Sequence, residues 1–413
     1  MTTNVESAHH DVAGPRRYRN TDKMIEFCEP VWLNASDRRL INLHADAPSN
    51  NTYVVRETGQ EVLSLCSFAY LGLNTHPKVI EGALDALQET KTMGLGVGNA
   101  RVRHSLLGRM EEEFSDLFGA HVMAGVTCSA LSAGILPLLA AGHVAEGGRR
   151  VMVFDRFCHF SMAYMKPVCA EESPVFTCNH NDLNYLEDMC RKYPRVAYIA
   201  DGAYSMGGDA ALEGLLELQN RYGLFLYFDD SHSLSIVGER GEGMTRSQLP
   251  QMSPLTIIVA SLNKGFGTGG GIAMLGQRRI IDFFQHHAGP VAWSQNMEIP
   301  VVGASLASIK IHRSPELGEL QRKLQRNIDY FDRILPTRFA GNGLPIRIID
   351  VAGPFEAVNT AAALFERGFY NSAVFFPIVA RGEGGIRVML RAELTEEQIA
   401  GFVDAIQEIL ASL

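Results

Sequence analysis

Between residues 121 and 275 the chain alternates two kinds of segment. Seven short, almost uninterrupted apolar runs, at residues 121–124, 150–154, 175–177, 196–200, 224–228, 256–260 and 271–275, are separated by longer stretches whose apolar positions recur at helical spacing. Runs of this length suit strands, and a strand without polar alternation is covered on both faces. The pattern predicts an α/β fold whose large domain holds a mostly parallel seven-stranded sheet between helices.

The flanking regions read differently. Residues 51–56 and 62–65 are predicted as short strands, and residues 77–90, with Val79, Ile80, Ala83, Leu84 and Leu87 on one stripe, as an amphipathic helix. The glycine-rich stretch 93–100 ends it, and a second helix is predicted over 106–118. Two more helical patterns occupy 301–312 and 315–335; strands at 347–351 and 386–390 and a last helix from Thr395 then make a smaller α+β unit. The expected division is an N-terminal segment (1–60), a large domain (61–300) and a small C-terminal domain (301–413).

Ligands of such sheets sit beyond the carboxyl ends of the strands. Polar clusters directly follow five of the predicted strands, at 127–132, 155–161, 201–209, 229–232 and 261–264. Two carry a specific chemistry. The run 256–260 leads to Lys264 and then to the turn Gly265-Phe266-Gly267-Thr268-Gly269-Gly270-Gly271, and the run 224–228 leads to Asp229 and His232. An amine that reacts with a carbonyl must spend time unprotonated, which a desolvated strand end favours, and a buried carboxylate can keep a cofactor ring nitrogen protonated. An amine, a carboxylate and an imidazole at one sheet edge suit pyridoxal phosphate. Taken singly, a lysine before glycines is commonly a turn residue and a strand-end aspartate commonly caps the next turn. A nucleotide-type phosphate loop is excluded by order, because its lysine follows the glycines and leads into a helix, whereas here residues 272–275 read as a strand.

Composition adds exclusions. With 46% hydrophobic and 20% charged residues and a formal net charge of −9, the chain has the balance of a globular protein and no basic run for nucleic acid. Its seven cysteines show no metal-type spacing and fit reduced thiols. The polar start carries no export segment and no stretch is apolar enough for a membrane span, so a cytoplasmic location is expected.

With these residues placed, the chain from about Leu63 onward resembles the pyridoxal-phosphate-dependent α-oxoamine synthases of fold-type I, including the branch that makes bacterial ketone signals. The resemblance rests on an ordered set: Tyr70-Leu71-Gly72-Leu73-Asn74-Thr75-His76-Pro77, Asp155-Arg156-Phe157-Cys158-His159, His180-Asn181-Asp182, Tyr204-Ser205-Met206-Gly207-Gly208-Asp209, Asp229-Asp230-Ser231-His232 and Ser261-Leu262-Asn263-Lys264. It implies that Lys264 holds the cofactor through an imine and later moves protons, that Asp229 pairs with the ring nitrogen, that His232 meets the ring hydroxyl and that His159 stacks on the ring. Ser205 is implied near the hydroxyl or phosphate. The phosphate is expected at the helix start Cys128-Ser129-Ala130, where unpaired amides favour an anion, with Ser261 as a further donor. Arg387 matches an arginine for the substrate carboxylate, with Arg381 and Arg391 nearby.

The implied reaction is condensation of an amino acid with an acyl thioester, with loss of carbon dioxide, in a homodimer whose residues 293–296 reach the neighbouring site. Aminotransfer without carbon–carbon bond formation and a non-catalytic partner subunit are the alternative readings. The departures lie on the substrate side. Phe68-Ala69 stands where the family has Asn-Asp; Cys128-Ser129-Ala130, with Ala133, replaces Ser-Gly-Phe and a following Asn; and Gly98-Asn99-Ala100-Arg101 replaces Gly-Gly-Ser-Arg.

Overall fold

The computed structural model describes Tyr18, residues 21–49 and residues 51–412; apart from Tyr18, the polar stretch read at the N-terminus lies outside them. A helix, Thr21–Asp37, is followed by strands β1 (Ala45–Asp46), β2 (Thr52–Val55) and β3 (Glu61–Ser64). The predicted runs then form β4 (His121–Gly125), β5 (Val151–Asp155), β6 (Val175–Cys178), β7 (Val196–Asp201), β8 (Phe225–Asp229), β9 (Thr256–Ser261) and β10 (Gly271–Leu275). All seven join one sheet in the order β4-β10-β9-β8-β7-β5-β6. Only β10 runs against its neighbours; β5 through β9 are parallel where they pair.

The continuous apolar runs follow from the sheet being covered twice. Successive residues of a strand point to opposite faces. Met152, Phe154, Ala197, Ile199, Phe225 and Tyr227 face the helices Cys128–Ala140 and Arg279–His287, through Leu131, Ile135, Leu139 and Phe284. Val153, Tyr198, Ala200, Leu226 and Phe228 face Leu186 of Leu183–Lys192 and Leu215 and Leu218 of Leu212–Tyr222. On that second side Ala124, Ile258, Ile272 and Met274 meet the helix Ser105–Phe118 through Met110 and Phe114. The helices Pro77–Thr90 and Ile299–His312 cross so closely that a Cβ at Gly303 would lie 2.3 Å from the Gly82 carbonyl oxygen.

Past the helix Pro315–Ile334 come β11 (Ile346–Val351), the helix Pro354–Glu366, β12 (Phe369–Tyr370), β13 (Ser372–Val374), β14 (Gly384–Met389) and the helix Glu396–Ser412. Strands β11, β14 and β13 form an antiparallel sheet, while β12 pairs parallel with β3 and completes a sheet with β1 and β2. One core contains Val62 and Leu65 together with Ile346, Ile386, Val388 and Phe402, so β3 and the Tyr70 loop that follows it are fixed against the strand that carries Arg387.

Fully buried Arg347 of β11 anchors this sheet. Its Nε and Nη2 donate to the two carboxylate oxygens of Asp332 at 2.6 and 2.7 Å, and its Nη1 donates to the carbonyls of Leu344 and Ile346. Removing the carboxylate strands a buried cation. Asp332→Ala is expected to destabilise the protein by about 3–5 kcal/mol, read as a lowered urea midpoint; an unchanged midpoint would mean that the carbonyls alone satisfy Arg347.

Candidate active site

Because β5, β7, β8 and β9 are parallel, their carboxyl ends open on one edge and the loops behind them converge. The loop after β5 brings His159, the end of β7 brings Asp201 and Ser205, the end of β8 brings Asp229 and His232, and the turn after β9 brings Ser261 and Lys264. From β4 the chain passes through Thr127 into the helix Cys128–Ala140. Thr127 Oγ1 accepts from the Ala130 amide at 2.9 Å, which leaves the Cys128 and Ser129 amides at the helix start. Gly271, the first residue of β10, lets the strand press against that start, since a Cβ there would lie 2.4 Å from the Cys128 nitrogen.

The half-buried Lys264 amine is 2.9 Å from His232 Nε2. Burial pulls the amine below its ordinary range, against the opposing pull of Asp229. His232 is buried, and its Nδ1 is 2.7 Å from Tyr70 Oη. Burial, reinforced by Lys264, Arg387 and His159, holds this imidazole well below its usual range, so it is neutral near pH 7. Asp229 is buried; its Oδ1 accepts from the Ser231 amide at 2.9 Å, and the Cys128 thiol lies 3.6 Å from its Oδ2. Ser231 Oγ in turn accepts from the Ser261 amide at 2.8 Å, which ties the β8 and β9 loops together.

The half-buried His159 imidazole has its Nδ1 2.9 Å from Ser161 Oγ, and its backbone amide donates to Asp201 Oδ1 at 3.2 Å. Desolvation lowers its pKa, with Asp229 acting the other way. Arg387 of β14 reaches the same edge, its Nη1 donating to the Ser205 carbonyl at 3.4 Å while its buried Nε has no hydrogen-bond partner among the described residues. The neighbouring arginines are engaged elsewhere. Arg391 is fully buried and donates to the Ser64 carbonyl, and Arg381 lies over the Phe27 ring at 3.6 Å.

His159, Ser205, Asp229, His232, Ser261, Lys264, Arg387 and the helix start at Cys128 thus fall on or beside this edge, with Ser129 exposed and Ala130 half-buried in the first turn of that helix. Three further residues join them. Phe68 meets the His232 ring edge-on at 5.5 Å, with Lys264 Nζ and the Arg387 guanidinium each 5.5 Å from its centroid. Tyr70 is fully buried behind His232. Asp201 is buried next to Asp229 in the parallel register of β7 and β8, its Oδ2 without a partner. Phe68 and Tyr70 could be noticed only as a family departure and as part of a motif, and Asp201 only as the start of a polar cluster. Among the described residues no group of three or more His, Cys, Asp and Glu could hold a metal ion.

The sequence model of the class I and II aminotransferases matches residues 60–406. The chain belongs to that family. It is a pyridoxal-phosphate-dependent enzyme of the α-oxoamine synthase group. Similar curated proteins include an 8-amino-7-oxononanoate synthase from Alkaliphilus metalliredigens, 28% identical over 85% of this chain and 88% of that one. Another, from Geobacter sulfurreducens, is 29% identical over 89% and 93%. A solved serine palmitoyltransferase from Sphingomonas wittichii superposes with a TM-score of 0.82 at 19% identity, covering 95% of this chain and 98% of that one. An 8-amino-7-oxononanoate synthase structure from Francisella tularensis gives 0.71 at 17% identity over 85% and 98%. These two structural likenesses establish the fold-type I architecture.

Burial, with Asp229 beside it, pushes the Asp201 carboxyl well above the usual range, so the folded protein holds a proton there that the unfolded chain releases near pH 4. A raised carboxyl stabilises least above its folded pKa, and Asn removes the titration. The stability of Asp201→Asn relative to wild type is expected to rise as the pH is raised above about 4, measured by chemical denaturation; a flat difference would mean that Asp201 is an ordinary ionised carboxylate.

Proposed function

We propose that the protein joins an amino acid to an acyl thioester, releasing carbon dioxide and a free thiol and leaving an α-aminoketone. The observation that carries the reading is the meeting of Lys264, Asp229, His232 and Arg387 at one sheet edge in a chain of this family. The residues fit pyridoxal phosphate. The helix start at Cys128, Ser129 and Ala130, with Ser261 nearby, suits its phosphate; Asp229 suits its ring nitrogen; Lys264 suits its aldehyde; and neutral His232 and His159 suit its hydroxyl and ring face. Ser205 would stand at the rim, where its carbonyl steadies Arg387.

Bound there, pyridoxal phosphate supplies an electron sink for the electron pair left at the amino acid's α-carbon. Lys264 Nζ takes the α-proton, which needs the amine unprotonated, and burial moves it in that direction. Arg387 fixes the substrate carboxylate through a guanidinium whose Nε has no other hydrogen-bond partner among the described residues. The α-carbon then bonds to the thioester carbonyl carbon as the carbon–sulfur bond breaks. The carboxylate is lost as carbon dioxide, Lys264 Nζ returns its proton to the α-carbon, and the departing thiolate takes a proton from solvent to become the free thiol. Phe68 puts an apolar ring beside this carbon, so water and polar groups are kept from it. With a net charge of −9, the chain favours an acyl-coenzyme A donor over an acidic carrier protein.

Purified enzyme given single amino acids and acyl-coenzyme A is expected to release thiol and carbon dioxide in equal amounts, and Lys264→Ala to lose at least about a hundredfold. A pyridoxamine product with no thiol would replace condensation by aminotransfer.

The enzyme is further proposed to be a homodimer. Met93, Val102 and Trp293 are 58%, 54% and 66% exposed, and the Gly98–Gln295 bridge brings their two loops together beside the helix Cys128–Ala140. Exposed apolar side chains gathered on adjoining loops suit cover by a second chain. Sedimentation is expected at twice the chain mass, and Trp293→Glu is expected to shift the protein toward monomer; a wild-type monomer would refute this.

A further inference from the structure

We propose that Tyr70 is a positioning residue that sets the charge state of Lys264: its phenol and His232 form a hydrogen-bonded relay whose wiring is fixed when the amine holds its extra proton and free to reverse when it does not. The argument is a count of protons. Tyr70 Oη lies 2.7 Å from His232 Nδ1 and 3.7 Å from Met389 Sδ, and His232 Nε2 lies 2.9 Å from Lys264 Nζ. Tyr70 is fully buried and His232 nearly so. A neutral imidazole carries one N–H, a phenol has one proton to give, and an ammonium has no lone pair with which to accept.

When Lys264 is an ammonium, only one arrangement satisfies all three contacts. Lys264 donates to Nε2, Nδ1–H donates to the phenol oxygen, and the phenol proton turns to Met389 sulfur. When Lys264 is a free amine, the reverse wiring also becomes available: the phenol donates to Nδ1, and Nε2–H donates to the amine lone pair. The phenol oxygen is therefore what allows His232 to present a lone pair to the ammonium. Without it, a buried Nδ1–H would have no acceptor, the imidazole proton would settle on Nε2, and that N–H would face the amine.

Other groups act on the same nitrogen. Asp229 from β8, Asp201 from β7 and Cys128 from the helix start draw the proton toward Lys264, while Arg387 from β14 and desolvation drive it off. His159, from the loop after β5, bears on His232. None of these contacts Tyr70's phenol in the way that His232 and Met389 do, so the relay can be cut without touching them. The consequence for catalysis rests on the proposed role of Lys264, but the test does not.

The test uses the full chain stripped of pyridoxal phosphate, with refilling by the cofactor as the check that the fold is kept. Ionisation of Lys264 is read by competitive acetylation with acetic anhydride across a pH series, quantified by mass on the peptide that carries it. Tyr70→Phe preserves shape and removes the acceptor; the expected result is a downward shift of the Lys264 midpoint by about one pH unit, the size of one lost charge-assisted hydrogen bond. Met389→Leu keeps the phenol but removes the outlet for its proton, and a smaller downward shift is expected. A packing role would leave both midpoints in place, and midpoints that are unmoved or raised in both variants overturn the proposal. Because no substrate or turnover enters, failure here is distinct from failure of the condensation reading.

Discussion

One contact orders the whole site: an amine in a half-buried position, 2.9 Å from an imidazole that burial keeps neutral. A fully hydrated lysine would stay protonated and a charged histidine would repel it; the pair is useful only because both lie in a poor solvent for charge. The parallel sheet creates that solvent. Strands β7 and β8 are buried along their whole lengths, and so are the residues that follow them, Gly202 to Tyr204 and Asp230 to Ser235. Asp229 and His232 lie within this buried stretch, and Lys264, half-buried after β9, stands at its rim.

The charge around this pair is arranged in depth. Asp229 sits at the end of β8 with only a backbone amide and a thiol against its oxygens, a thin set of partners for a buried carboxylate. Asp201 beside it is held protonated by burial and by that same neighbour. Register makes the two acids neighbours at the ends of adjacent strands. Arg387 enters from a different sheet, and its place depends on the core shared by β3 and β14. Tyr70, on the loop after β3, depends on the same core. The amine's nearest polar partner, His232, is thus gripped from the large sheet by its own loop and from the opposite side by Tyr70.

Much of this was legible in the residue order, and the reasons differ by element. The seven strands of the large sheet could be read because a strand covered twice becomes an unbroken apolar run, and their boundaries moved by only a residue or two. The helix Thr21–Asp37 was not read: it buries only Cys28, Val31 and Ala35 and contains Pro30, so its stripe is narrow and interrupted. The helix Pro354–Glu366 escaped for the opposite reason, since seven of its thirteen residues are buried and its period is blurred by alanines. Strands β12 and β13 have two and three residues, too few for any period.

Within the site, most residues named in advance lie directly after a strand, because the fold puts every such loop on one edge, while Arg387, inside a strand, was named from the family resemblance alone. What could not be read is which residues meet across the chain. Tyr70 and His232 are 162 residues apart, and Arg387 and the Ser205 carbonyl 182. No local pattern encodes such distances; they are set by how β3 and β14 share a core. The same reasoning explains why the chemistry of the cofactor side was easier to read than the choice of substrate. Asp229 ends a strand of the large sheet, with His232 and Lys264 in the turns just beyond β8 and β9, whereas Phe68 lies on the loop after β3 and Arg387 on β14 of a different sheet. Phe68 contacts His232, Lys264 and Arg387 through its ring alone. An aromatic ring accepts no conventional hydrogen bond from any of them; it presents its face to the amine and the guanidinium and excludes water from the space between them, so that charge there is less screened.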